Sequence, residues 1–146
     1  MAIKVKAITL WRHDSANRPG ELARVLEPLA RAGADLRVVM GYRHPGEETR
    51  ATIELYPVAG KKAATAAQAA GLSASDIPTL LVEGDDKPGL GHAFARALGD
   101  AGINLAFLLA QVIGRKYSAI LGFETEADAK KAAGLIRRTG VRSPKV

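Results

Sequence analysis

Two short stretches of this 146-residue chain carry residue types suited to holding a small charged molecule. "NRPG" at residues 17–20 and "DKPG" at residues 86–89 each place an amide or carboxylate, a basic residue, Pro and Gly in that order. Proline at a helix start pre-sets φ, and glycine lets a ligand approach the main chain with no Cβ in the way. The unpaired N–H groups and positive dipole end of such a helix attract a carboxylate. An ammonium needs acceptors, and Asn17, Asp86, Asp35 and Asn104 supply them near the two turns. The competing reading is structural: Asn and Asp are ordinary helix N-caps, and Pro-Gly is ordinary turn chemistry.

Other chemistry is thin. The chain has no Cys, which excludes disulfides, thiolate catalysis and Cys-ligated metals. His13, His44 and His92 fall in a loop, a hairpin and a helix without metal-ligand spacing. Ser73, Ser75 and Ser118 lack a matching His and acid. No enzymatic activity, metal or cofactor is expected. The net charge of +6 is spread in ones and twos, such as Lys61-Lys62 and Lys130-Lys131. That pattern reads as solvated helix surface before it reads as a nucleic-acid footprint. No signal peptide and no apolar run of roughly 18 residues is visible, so a cytoplasmic protein with no membrane contact is expected.

The elements that hold the turns are written twice. Pro19-Gly20 and Pro88-Gly89 lie 69 residues apart, and the same offset pairs Leu29 with Leu98, Gly33 with Gly102 and Gly71 with Gly140. It also pairs Lys61-Lys62-Ala63-Ala64 with Lys130-Lys131-Ala132-Ala133, and no gap is required in either half. Matched turns, helix-ending glycines and a four-residue block in register indicate duplication. In the first copy, residues 4–12 alternate as a strand, and Leu22, Val25, Leu26 and Leu29 mark a helix stopped by Gly33. Pro28 inside that helix is expected to kink or loosen its last turn. Strands over residues 36–43 and 50–56 flank a hairpin, and a second helix runs over residues 61–70. The second copy repeats this order at residues 79–83, 89–101, 104–113, 117–124 and 127–139.

Strand, Asn/Asp-x-Pro-Gly, then an amphipathic helix ending in Ala-Gly-x-Asn/Asp-Leu resembles the ACT family of amino-acid-sensing modules. "AGADL" and "AGINL" at matching distances make the resemblance fairly specific. It implies an α+β fold: two tandem ferredoxin-like βαββαβ units, residues 1–75 and 76–146, with their sheets side by side. Only "LSASDIP" and "VRSPKV" follow the second helix of each copy, so the fourth strands are expected to be short or missing.

The resemblance also implies a non-enzymatic sensor whose effector lies between the turn of one unit and the second strand of the other. Carried over, Asn17, Pro19 and Gly20 face Asn104, while Asp86, Pro88 and Gly89 face Asp35. Serine-sensing members carry a His shortly before the first Asn, a place near that of His13. The Asn17/Asn104 site would be neutral and suit a zwitterion, whereas two carboxylates at the other would repel a ligand carboxylate. One productive site per chain, the first, is expected.

"INLAFLLAQVI" is apolar at both parities, so one face of that strand needs a cover other than the helices. A homodimer packed through its sheets is the expected cover, and a regulated partner protein the expected target. The alternatives are an interaction module with a vestigial pocket or an RNA-binding ferredoxin-like protein. "RATIELYP" and "KYSAILGF" lack the central aromatic and Gly of an RNA-recognition strand, which disfavours nucleic acid.

Overall fold

A computed structural model of the chain describes residues 3–141. The first half holds β1 (Lys4–Ile8), β2 (Trp11–Ala16), α1 (Glu21–Arg31), β3 (Val38–His44), β4 (Glu47–Tyr56), α2 (Gly60–Ala69) and β5 (Ser73–Ala74). The second holds β6 (Thr79–Asp85), α3 (Leu90–Asp100), β7 (Leu105–Ile113), β8 (Lys116–Phe123) and α4 (Glu126–Val141). The strands form two antiparallel sheets, ordered β3-β4-β2-β5 and β1-β6-β8-β7. Each has the ferredoxin-like order, with two helices packed on one face, as the duplicated pattern requires.

The strand expected over residues 4–12 is two strands in two different sheets. β2 runs between β4 and the two-residue β5, while β1 pairs with β6 from Lys4↔Glu83 to Ile8↔Thr79. The expected division at residue 75 is therefore redrawn: Thr9–Asp76 form one compact unit, and residues up to Ile8 join those from Ile77 onward in the other. The fourth strand of the first copy is short, as anticipated. The second copy takes its fourth strand from the start of the chain. Ile8 is buried, and Ile3 and Val5 pack against the core of Leu80, Val82, Phe94, Leu98 and Ile136. An apolar alternation in residues 3–8 looks the same whichever sheet it joins, so periodicity alone does not assign it.

The repeat is not gapless. Trp11 and Val39 both face Leu55, and their counterparts Leu80 and Leu108 both face Leu121. The return strand is therefore offset by 66 residues, because the β7–β8 hairpin is three residues shorter. α4 begins three residues earlier relative to the repeat, which restores the offset of 69 at Ala67 and Ile136, both buried.

Helix ends follow the glycines with one exception. After α1, α2 and α3, Gly33, Gly71 and Gly102 adopt φ of 75°, 92° and 73°. The amides of Ala34, Leu72 and Ile103 reach back to Leu29, Ala67 and Leu98, closing Schellman turns. Pro28 does not break α1, whose last turn is closed by Ala32 N–H to Pro28 O at 3.0 Å. Gly140 is not a stop: it lies within α4, where Ile3 sits against the position a Cβ would take. Gly140 is there for close approach to the borrowed strand. Gly140→Leu should therefore lower stability by about 1–3 kcal/mol through overpacking. Urea unfolding checks this, and an unchanged midpoint would contradict the placement of β1.

Candidate ligand site

The two helix-opening turns share a backbone design. Gly20 and Gly89 directly precede α1 and α3, in the left-handed region at φ 90° and 84°, where L side chains are strained. Neither helix receives a side-chain cap hydrogen bond, so Asn17 and Asp86 are not N-caps. Instead both turns are tied to a hairpin. The Asn17 amide N–H donates to Thr49 O at 2.9 Å, and the Asp86 N–H donates to Arg115 O at 2.8 Å. Asn17 adds a side-chain bond, Nδ2 to Glu48 O at 2.7 Å, which fixes its amide plane. Its Oδ1 accepts no hydrogen bond among the described residues and is the acceptor the turn offers.

The turns differ in what surrounds them. At the start of α1, Glu21 is buried and takes hydrogen bonds from Arg24 at 2.9 Å and Arg18 at 3.3 Å. The Arg24 bond, helped by Arg18, holds the Glu21 carboxyl below its ordinary range. A Cβ at Gly20 would meet nothing within 4 Å, so the space above this turn is open. At α3, apolar Leu90 replaces Glu21, and the Tyr117 phenol would lie 3.5 Å from a Cβ on Gly91. Burial first, and the Asp86 carboxylate second, raise the Tyr117 pKa. The first turn thus offers both charges of a zwitterion, and the second is walled by an aromatic ring.

The other expected residues each have a setting of their own. His13 is engaged at both ring nitrogens, Nδ1 with Gly71 O at 2.9 Å and Nε2 with Arg24 Nη2 at 3.2 Å. It ties β2 to the end of α2 and to α1, and its ring leaves no room for a side chain at Gly71. Asn104 Nδ2 donates to Glu124 Oε1 at 3.3 Å. Asp35 lies exposed in the loop after α1. Arg18, Glu21 and Arg24 escaped the sequence reading, although their spacing on a helix start brings all three to one place.

A polar cluster on the sheet of the Thr9–Asp76 unit was also missed. Arg12, Asp14, Tyr42, Thr52 and Glu54 share the face turned away from the core residues Ile53 and Leu55. Thr52 Oγ1 donates to Asp14 at 2.9 Å, Arg12 pairs with Asp14 at 3.2 Å, and Tyr42 OH donates to Glu54 Oε2 at 3.3 Å. Glu54 is 1% exposed, and its Oε1 has no hydrogen-bond partner among the described residues. Burial raises the Glu54 pKa, while the Thr52 hydrogen bond leads the lowering at Asp14. The signal was present as polar residues at alternate positions of β2 and β4. At the register-equivalent places of the other unit stand Leu81 and Ile120, an apolar pair.

Among the described residues, no group of three or more His, Cys, Asp or Glu side chains could hold a metal ion. No helix among them is long and apolar enough to cross a membrane.

No known sequence family and no curated protein sequence matches this chain. Solved structures do match. A protein designated BT0572 from Bacteroides thetaiotaomicron superposes with a TM-score of 0.71 at 12% identity, covering 88% of this chain and 87% of that one. The regulatory subunit of aspartate kinase from Thermus thermophilus gives 0.63 at 16% identity, covering 95% and 97%. Aspartate kinase from Clostridium acetobutylicum gives 0.62 at 13% identity, covering 94% of this chain and 34% of that enzyme. The fold, two ferredoxin-like α+β units in one chain, is thus shared with these structures.

The Glu54 result carries a pH signature. A carboxyl whose pKa is raised by folding costs stability as pH rises from its unfolded pKa through its folded one. Glu54→Gln should therefore raise the unfolding free energy at pH 7 by about 1–2 kcal/mol. The gain should shrink as pH falls into the carboxyl range, where wild-type Glu54 is already neutral. Denaturant titrations from pH 4 to 8 measure it, and a gain that is constant with pH would exclude a desolvated carboxylate.

Proposed function

We propose that this chain is a non-enzymatic regulatory protein that binds a zwitterionic amino acid at the turn opening α1. The observation carrying this reading is the Asn17–Glu21 turn itself. It combines an open left-handed glycine, an oriented amide acceptor, and the Arg18–Glu21–Arg24 charge cluster. The ligand carboxylate meets Arg18 and the helix N-terminus, and its ammonium meets Asn17 Oδ1 and Glu21. The regulatory role is supported by the fold, shared with a structure described as a regulatory subunit of aspartate kinase. The Asp86 turn is the weaker candidate, consistent with Leu90 and Tyr117 beside it.

The chain would act on a partner through ligand-dependent shape or oligomer state. Leu108, Leu109, Val112 and Ile113 of β7 are exposed, Ile113 by 68%, which supports self-association through that sheet.

A thermal-shift screen against the common amino acids tests the reading, since a ligand specific for the folded state raises the melting temperature. One amino acid, or one chemical class, should raise it saturably, and Asn17→Ala should abolish the shift. No shift with any amino acid would favour a pure interaction module. Light scattering on the same samples should give a dimer mass that Ile113→Glu lowers. A monomer at micromolar concentration would remove the self-association proposal.

A further inference from the structure

A groove of about 640 Å³ runs between α1 and α2, away from the turn described above. Pro28 and Ala32 of α1, with Thr65, Ala66 and Ala69 of α2, line it; Arg31, Lys61 and Lys62 complete the lining. Its volume lies in the range of small-molecule sites. The walls are almost wholly apolar, and the three charged side chains that line them are cations. Arg31 is paired with Glu27 at 2.6 Å, while Lys61 and Lys62 have no ion pair among the described residues. A neighbouring hollow of about 470 Å³ shares Pro28, Arg31 and Ala69 and is lined also by Arg24 and Glu27, both held in ion pairs, so Lys61 and Lys62 are the unpaired cations of this region among the described residues.

The duplicated helix pair is a built-in control. At the repeat offset, Ala66 becomes Leu135, Ala69 becomes Arg138 and Pro28 becomes Ala97. Arg31 becomes Asp100, which reverses its charge. Leu135 packs against the core of its own unit, so large side chains occupy the corresponding position there. The lysine pair is kept in both copies, as Lys61-Lys62 and Lys130-Lys131. Small floor residues together with an all-cationic rim are thus particular to the first copy.

We propose that the α1–α2 groove binds an amphiphilic carboxylate, an acyl chain with one anionic head. The chain lies on Pro28, Ala32, Ala66 and Ala69, where each methylene leaves water. The carboxylate meets Lys61, Lys62 and Arg31 at the rim, where a charge-assisted hydrogen bond needs no buried ion. An amine of equal length would meet like charge and be rejected.

Calorimetric titration of the intact chain with hexanoate, octanoate and decanoate, below their micellar concentrations, tests this. Saturable binding of one equivalent is expected, tightening up to about fourfold per added methylene. Octylamine should not bind. Ala66→Leu, which installs the second copy's residue, should weaken octanoate at least about tenfold. Lys61→Gln with Lys62→Gln, both on the surface, should weaken it without altering the fold by circular dichroism. Asn17→Ala should leave it unchanged, so this result is separate from that of the amino-acid site. Absence of saturable carboxylate binding, or undiminished binding by both the leucine and glutamine variants, would overturn the proposal.

Discussion

The antiparallel pairing of β1 with β6 is the contact on which the rest of the chain's organisation depends. Without β1, β6 would be an open sheet edge with a row of unpaired N–H and C=O groups, over a core missing Ile3, Val5 and Ile8. Arg137 Nη2 adds a bond from α4 to Val5 O at 3.0 Å, and Gly140 admits Ile3. The second unit is therefore assembled from both ends of the sequence, and the chain passes between units twice. Cutting the polypeptide once, at the visible repeat boundary, would leave one unit short of a strand.

Within this framework, duplication conserves the skeleton while the chemistry diverges. Both copies keep a left-handed glycine before the first helix, a hairpin tie to the turn and Schellman ends. At the turn, Glu21 and its two arginines stand where the other copy has Leu90 and a tyrosine ring. On the sheet face, Arg12 and Glu54 stand where the other copy has Leu81 and Ile120. Between the helices, alanines stand where the other copy has Leu135 and Ile136. The Thr9–Asp76 unit holds the polar and open features, whereas the other unit has apolar side chains at these positions. Both ligand sites proposed above lie in the Thr9–Asp76 unit for that reason.

Most of the fold was legible because its signals are local. Pro-Gly turns, helix-ending glycines and a helical spacing of leucines each act within a few residues. What was not legible depends on pairing partners far apart in sequence. Residues 4–8 alternate equally well for either sheet, and only Ile3 against Gly140 and Val5 against Val82 decide between them. Gly140 looked like a stop because a helix C-cap and a close-packing glycine are the same letter. The three-residue hairpin difference was masked because the helix that follows restores the offset. At the site, Asn17 and Gly20 were readable, but the role of Asn17 was not. A residue three places before the helix-opening glycine can cap the helix or tie down a hairpin, and here it ties the hairpin. Arg18, Glu21 and Arg24 looked like solvated helix charge, and their convergence needed three dimensions.

The account rests on amino-acid recognition at the α1 turn, and backbone amide shifts report on that place directly. Titrating the amino acid that stabilises the chain into nitrogen-15-labelled protein should move the amides of residues 17–21 and Arg24 first and most. Amides of residues 86–91 should move far less. Shifts confined to the second turn, or spread evenly with no focus at residues 17–21, would contradict the assignment of the site.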